Sequence, residues 1–327
     1  MIIAVDAAGG DFYPANPIEG GLLALTENPD LQIIFVGPES MVRDELSKHT
    51  YDEQRVHVQD APEIIGMEDS PSSAVKNKRN SSITIGIGMH KAGKCHAFVS
   101  AGNTGALLAA SIFILGKLEG VSRPTIAAYY PTLKGFRLLV DAGANLELKP
   151  EMAVQFAKMA QVYSQAIMGI ESPKVGLMNV GEEDEKGTEN TKEIHSALKS
   201  LEGFIGNVEG RDIFPAKADV FITDGMVGNI LLKFGESIPD ALFKMVHSAF
   251  SQVQLDEKEI KNVQTVLKTA LNPFNYENVG GLPFLGVNGV SIVGHGGSSA
   301  LAIKNMIKAA VDCVESDING KIVASLN

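Results

Sequence analysis

The chain has 327 residues, enough to bury a sizeable core as one large domain or two joined lobes. Hydrophobic residues make up 45% and charged residues 20%, with 33 glycines and no tryptophan, which fits a compact protein with many tight turns. A net charge of −11 argues against a nucleic acid partner, and Cys95 and Cys313, the only two cysteines, exclude a disulfide framework and a CxxC zinc or redox site.

The opening residues Met1-Ile2-Ile3-Ala4-Val5-Asp6 read as a strand, without the basic and apolar regions of a secretion signal. Further strands are predicted at 31–36, 55–58, 97–100, 125–129, 137–140, 174–179, 219–223 and 291–293, from short β-branched runs. Amphipathic stretches alternate with them, the clearest at 71–91, 151–168 and 298–314, with another helix-like stretch at 14–26. This alternation predicts a Rossmann-like α/β fold, a mostly parallel sheet with helices on both faces, in one domain spanning 1–327. Residues 226–272 depart from it, reading as two long helices broken near 252–256, a projecting helical arm. The apolar, glycine-broken loop that follows, 272–286, is either core cover or a lipid or partner contact. The longest apolar run, 105–116, is about half of a bilayer span, so no membrane crossing is expected, and two lone cysteines make a reducing cytoplasm the simplest location.

Charge is uneven along the chain. Between Lys76 and Arg137 six lysines and three arginines face one glutamate, about +8, which leaves about −19 elsewhere. Such a segment suits an anionic ligand or an acidic protein.

Six strand ends run into small and polar residues: Asp6-Ala7-Ala8-Gly9-Gly10-Asp11, Ala101-Gly102-Asn103-Thr104-Gly105, Asp141-Ala142-Gly143-Ala144-Asn145, Val180-Gly181-Glu182-Glu183, Asp224-Gly225-Met226-Val227-Gly228-Asn229 and Gly294-His295-Gly296-Gly297-Ser298. In an open parallel sheet such ends share one edge, where ligands bind, so a single crowded rim is expected. Glycine admits close backbone approach, and a helix N-terminus offers N–H donors to phosphate. The strongest single candidate is Gly102 to Gly105, where Asn103 or Thr104 caps a helix running through Leu115. Walker A, GxGxxG, GxSxG, HExxH and EF-hand patterns are absent, which leaves ATP, NAD, a covalent serine and a catalytic metal without a motif.

The stretches AVDAAGGD, VSAGNTGAL, LVDAGAN followed by KPE, NVGEEDEKG, NVEGRDI, DVFITDGMVGN, GGLPFLGV and GHGGSSA resemble, in order and spacing, the motifs of the PlsX family of phosphate acyltransferases. Ala8 stands where that family usually has methionine, and the family's HGSS-like end is extended here by Gly297. The resemblance implies a sheet related to isocitrate and isopropylmalate dehydrogenases and to phosphotransacetylase. It implies a homodimer at the inner face of the membrane, and no cofactor or metal. The implied reaction transfers a long-chain acyl group from acyl carrier protein to inorganic phosphate, and a membrane-bound glycerol-3-phosphate acyltransferase takes the product. Phosphotransacetylase acting on a short acyl-CoA is the nearest alternative. A kinase of the actin-like class and a scaffold that binds carrier protein without turnover are more distant ones.

With that resemblance, Lys186 is expected to bind phosphate or neutralise developing charge, and Asn229 to donate to the carbonyl oxygen as it becomes negative. His295 is expected to pass a proton to the leaving thiol. Asp224 would orient Asn229 or Lys186, with Asp141 and Asn145 behind them. Asp6, Gly9, Gly10, Gly102, Asn103, Thr104, Gly105, Gly228 and Ser298 complete the expected binding set. Residues 231–250 and 279–285 would form an acyl groove and membrane-facing tip, and Lys76, Lys78, Arg79, Lys91 and Lys94 a docking face for the acidic carrier protein.

Overall fold

The computed structural model describes residues 1–250, 252, 253, 255–274, 277 and 279–326. Of the loop discussed above, Asn275, Tyr276 and Asn278 lie outside the described residues. Strand β1 (Ile2–Asp6) sends Ile3 and Val5 into one hydrophobic core and Ala4 into another. A strand buried on both faces belongs inside a sheet covered on both sides, and the rest of the chain supplies that cover.

In chain order the elements are α1 (Ala15–Glu27), β2 (Gln32–Gly37), α2 (Glu39–Leu46), β3 (Val56–Asp60), α3 (Pro71–Asn77), α4 (Ser82–Lys91), β4 (Ala97–Ser100) and α5 (Thr104–Ala110). Then come β5 (Thr125–Thr132), β6 (Gly135–Val140), α6 (Pro150–Ala166), β7 (Val175–Met178), α7 (Glu189–Leu198), β8 (Phe204–Val208) and β9 (Val220–Ile222). Last are α8 (Gly225–Phe250), α9 (Glu257–Leu271), β10 (Leu282–Leu285), β11 (Val290–Val293), α10 (Ala300–Glu315) and α11 (Ile318–Leu326). Among the described residues, eleven strands form one sheet in the order β3-β2-β1-β4-β11-β10-β5-β6-β9-β7-β8. Residues of α1, α6, α10 and α11 build one core and residues of α3, α4 and α5 the other.

The sheet is not parallel throughout, which corrects the expectation of a single rim. Strands β3, β2, β1, β4 and β11 are mutually parallel, as are β6, β9, β7 and β8. Between the two sets β10 and β5 each pair antiparallel with both neighbours, so the sets run in opposite directions. Their carboxyl ends meet nonetheless, because the sets are staggered. Val293 at the end of β11 lies opposite Leu282, Phe284 lies opposite Ile126, and Val140 at the end of β6 lies opposite Ala127. About one residue of strand therefore separates the two lines of carboxyl ends, and five of the six motif loops, all but the one after β7, converge on one cleft.

Two expected helices differ in detail. The stretch 71–91 divides into α3 and α4 because Lys78 leaves helical geometry and the Ser81 hydroxyl accepts from Thr84 N–H, starting a new helix. The helix after Asn103 ends at Ala110 and continues to Leu115 as a π-helical turn. The two helices expected in 226–272 are α8 and α9, and the start of α9 is capped reciprocally by Asp256 and Glu259.

Candidate active site

Buried polar side chains set the backbone of the loops. The Asp6 carboxylate, 2% exposed, accepts from the Ala8 N–H at 3.0 Å and the Ser100 hydroxyl at 2.6 Å, and the Ser100 oxygen accepts from the Gly102 N–H at 3.0 Å. Burial raises the Asp6 carboxyl above its usual range, against the lowering effect of the Ser100 and Ser82 hydroxyls and the Ala8 amide. Gly9 packs against this carboxylate without room for a side chain, Gly102 lies close to it, and Gly105 lies against Pro71. Asn103 accepts from Ala106 N–H and donates to the carbonyls of Gly66, Met67 and Asp69, so its side chain is spent on holding loops. Asp11 N–H donates to Gly296 O at 2.8 Å, beside Gly10, and Asn16 donates to Ser298 O at 3.0 Å, tying the β1 loop to the β11 loop.

The opposed set is built alike. The fully buried Asp141 carboxylate accepts from the N–H groups of Gly143, Ala144 and Asn145 and from the Asn145 amide at 2.7 Å. Asn145 O accepts from Gly225 N–H at 2.7 Å, and Asp224 accepts from Val227 N–H at 2.8 Å, which together start α8 on top of the Asp141 loop. Gly228 allows that seating, and one residue later Asn229 emerges beside Gly143.

Between the two sets lies a cavity of about 330 Å³. At its polar end stand Asp11, Thr104, Asn229 and His295, from three different motif loops and the start of α8. The rest is mostly apolar, with Tyr129, Tyr130, Phe136, Leu232, Phe274 and Leu282 among its walls. Asn229 makes no side-chain hydrogen bond with the described residues, and its amide is available to a ligand. His295 Nδ1 accepts from Gly297 N–H at 3.2 Å, which holds the ring at the mouth of the β11 loop. One turn beyond Asn229, Lys233 also lines the cavity and forms no ion pair with the described residues.

A family model described as fatty acid synthesis protein matches residues 1–321. Phosphate acyltransferase from Chlorobaculum parvum is 45% identical, the match covering 100% of this chain and 99% of that one. Phosphate acyltransferase from Halothermothrix orenii is 42% identical over the same shares of both chains. The chain belongs to the PlsX family of phosphate acyltransferases. A solved phosphotransacetylase from Streptococcus pyogenes, 16% identical, matches with a TM-score of 0.61 over 97% of this chain and 94% of that one, which shows a shared fold.

Of the residues expected at this phosphate acyltransferase site, Thr104, Asn229 and His295 line the cavity. Asp6, Asn103, Asp141, Asn145 and Asp224 shape the loops around it, and the Ser298 hydroxyl, buried, donates to His295 O at 2.6 Å. Lys186 stands outside the lining, on the exposed turn after β7, whose Leu177 lies opposite Ile222 of β9. Lys186 and Asn229 thus rise from neighbouring strands of the same set. Each acidic neighbour with an ion pair uses a different lysine: Glu182 pairs with Lys217 and Asp184 with Lys199, both at 2.8 Å. Lys199 holds the Asp184 carboxyl below its usual range, and Glu182 raises Lys217. Lys186 forms no ion pair among the described residues.

Sequence reasoning placed Lys233 only within the 231–250 stretch of the expected acyl groove, without singling it out, and missed Tyr129, Tyr130 and Phe136. The i, i+4 spacing from Asn229 was the available signal for Lys233. For the aromatic residues only the fold brings the far end of β5 beside α8.

The residues of the expected docking face lie at both ends of α4. Ser82 at the start of α4 hydrogen-bonds Asp6 at the carboxyl end of β1, whereas Lys91 ends α4 about 15 Å away. Lys94 lies near the amino end of β4, where His96 N–H donates to Ile2 O. Lys76, Lys78 and Arg79 are therefore separated from Lys91 and Lys94 by the length of the helix, and Lys78 is engaged by Asp69 at 2.5 Å.

Proposed function

We propose that this phosphate acyltransferase uses acyl carrier protein as the thioester donor and a long-chain acyl group, yielding acyl phosphate for the first step of glycerophospholipid synthesis. The observation that supports this reading best is the single cavity that joins a polar end, rich in donors, to an aromatic and aliphatic chamber. Each buried methylene contributes about 0.8 kcal/mol, so a long chain has strong reason to occupy such a chamber.

In the reaction a phosphate oxygen attacks the thioester carbon, the C–S bond breaks through a tetrahedral oxyanion, and the thiolate leaves and takes a proton. A thiol with a pKa near 8.5 leaves without a strong acid. What the protein supplies is position and charge stabilisation. The Asn229 amide donates to the oxyanion, His295 passes a proton to the departing sulfur, and Lys186 with Lys233 balances the phosphate charge. The buried carboxylates Asp6 and Asp141 act through the loops they hold.

The same reading has the enzyme act as a homodimer at the inner face of the membrane and hand its product to a membrane-bound glycerol-3-phosphate acyltransferase. No described helix is long and apolar enough to cross a membrane. Support comes from Met226, Ile230, Phe234 and Met245 of α8, each at least 56% exposed, an apolar stripe beside the cavity. Flotation with liposomes tests it, and protein that stays soluble with every lipid composition removes the membrane role. The donor is tested by phosphate-dependent thiol release, comparing long-chain acyl carrier protein with acetyl-CoA. Faster release from acetyl-CoA would replace this reading with the phosphotransacetylase one.

A further inference from the structure

The cavity has a direction. Asn229 and Gly235 are six residues apart on α8, about 9 Å of helix. Along β5, Ala128 is level with the carboxyl ends of the first strand set, and Tyr129, Tyr130 and Pro131 extend past the start of β10 with β6 as their strand partner. Helix α8 rests on Tyr130 at Gly235, where an added Cβ would lie 2.8 Å from the phenol oxygen. Helix and strand therefore rise together from the polar end at Asn229 to a common point at Gly235 and Tyr130.

Aromatic rings pack together at that point. Tyr130 is 4% exposed and packs on Phe214 with ring centroids 6.3 Å apart, and Phe214 packs on Phe274 at 5.9 Å. Tyr130, Gly235 and Phe274 all line the cavity. Burial raises the Tyr130 hydroxyl, so this wall presents a neutral phenol to the chamber.

We propose that Tyr130, backed by Gly235 and Phe274, is the end wall that sets which acyl chain length the enzyme prefers. The inference rests on the acyl transfer reading above and adds where the chain stops. A chain that reaches the wall gains about fourfold in binding per methylene, and one that overruns it loses that gain to steric clash. Gly235 matters because its bare backbone lets the phenol end of Tyr130 come close to the helix.

The test is a competition among carrier protein thioesters of increasing chain length, with acyl phosphate read by mass. Tyr130→Leu and Phe274→Leu are expected to move the preferred chain longer, raising the ratio of adjacent even-numbered chains about tenfold. Gly235→Ala is expected to move it shorter, because the new methyl group pushes the phenol inward. Phe274 sits on a surface turn, so its variant carries the test if either of the others fails to fold. Wild-type order of preference in every folded variant overturns the end wall alone. A wild-type enzyme that forms no acyl phosphate from any thioester overturns the function and the end wall together.

Discussion

Gly228 lies so close to Asp141 that a Cβ on it would stand 1.8 Å from the Asp141 carbonyl oxygen. This contact seats the first turn of α8 on the β6 loop and so sets where Asn229 and Lys233 enter the cavity. Gly228→Ala must lift the helix or shift the loop, at a cost of about 1–3 kcal/mol. The expected outcome is a lower melting temperature together with a loss of kcat larger than the loss of folded protein. Thermal unfolding and kinetics on the same preparation check it.

Asn229→Ala removes one donor to the oxyanion and leaves the fold, since the Asn229 side chain supports no other described residue. A fall in kcat of about 10²–10³ with little change in KM is expected. Steady-state kinetics with the melting temperature measured alongside checks this.

Lys186→Ala should raise the KM for phosphate about tenfold or more, with Lys186→Arg restoring part of it, because charge rather than shape is what the turn provides. Added salt should narrow the difference between variant and wild type. Phosphate titrations at two ionic strengths give the answer.

His90 makes stability depend on pH. Its Nδ1 lies 3.2 Å from Cys95 O and its Nε2 accepts from Val290 N–H at 2.9 Å, an arrangement of the neutral ring. Burial lowers its pKa from the usual 6.5. The unfolded chain therefore takes the proton first as pH falls, so the contribution of His90 is present above about pH 6.5 and is lost below it, towards the lowered folded value. Urea unfolding at about pH 7.5 and 5.5 should show a smaller pH difference for His90→Gln than for wild type.

Both cysteines are buried, and burial pushes the Cys95 thiol up to about 11 and the Cys313 thiol up to about 12. Neither offers thiolate at neutral pH. Reaction with a thiol reagent should be slow in the native enzyme and reach two equivalents only on unfolding.

Most of the sheet was legible because β-branched runs and helical periods are local properties. Strands β8 and β10 escaped, since Phe204–Val208 carries Gly206 in its middle and Leu282–Leu285 contains Pro283, both poor strand signals. The direction of β5 to β6 was not legible either. It comes from the hairpin at Leu133 to Gly135, which reverses the chain and turns one rim into two opposed ones. At the site, the motif loops were visible as glycine and small polar residues, but their division of labour was not. Asp6 and Asp141 look like ligand-binding carboxylates in a sequence, and only their burial and backbone partners show that they shape loops. Lys233 and Tyr130 belong to elements that read as an ordinary amphipathic helix and strand.

The central claim is that inorganic phosphate itself attacks the thioester in the cavity between the two strand sets. Incubating the enzyme with long-chain acyl carrier protein and oxygen-labelled phosphate, then weighing the product, tests it most directly. Acyl phosphate retaining every labelled phosphate oxygen, and its near disappearance with Asn229→Ala, is the predicted result. Release of free fatty acid carrying oxygen from water, with no acyl phosphate at any time, would contradict it.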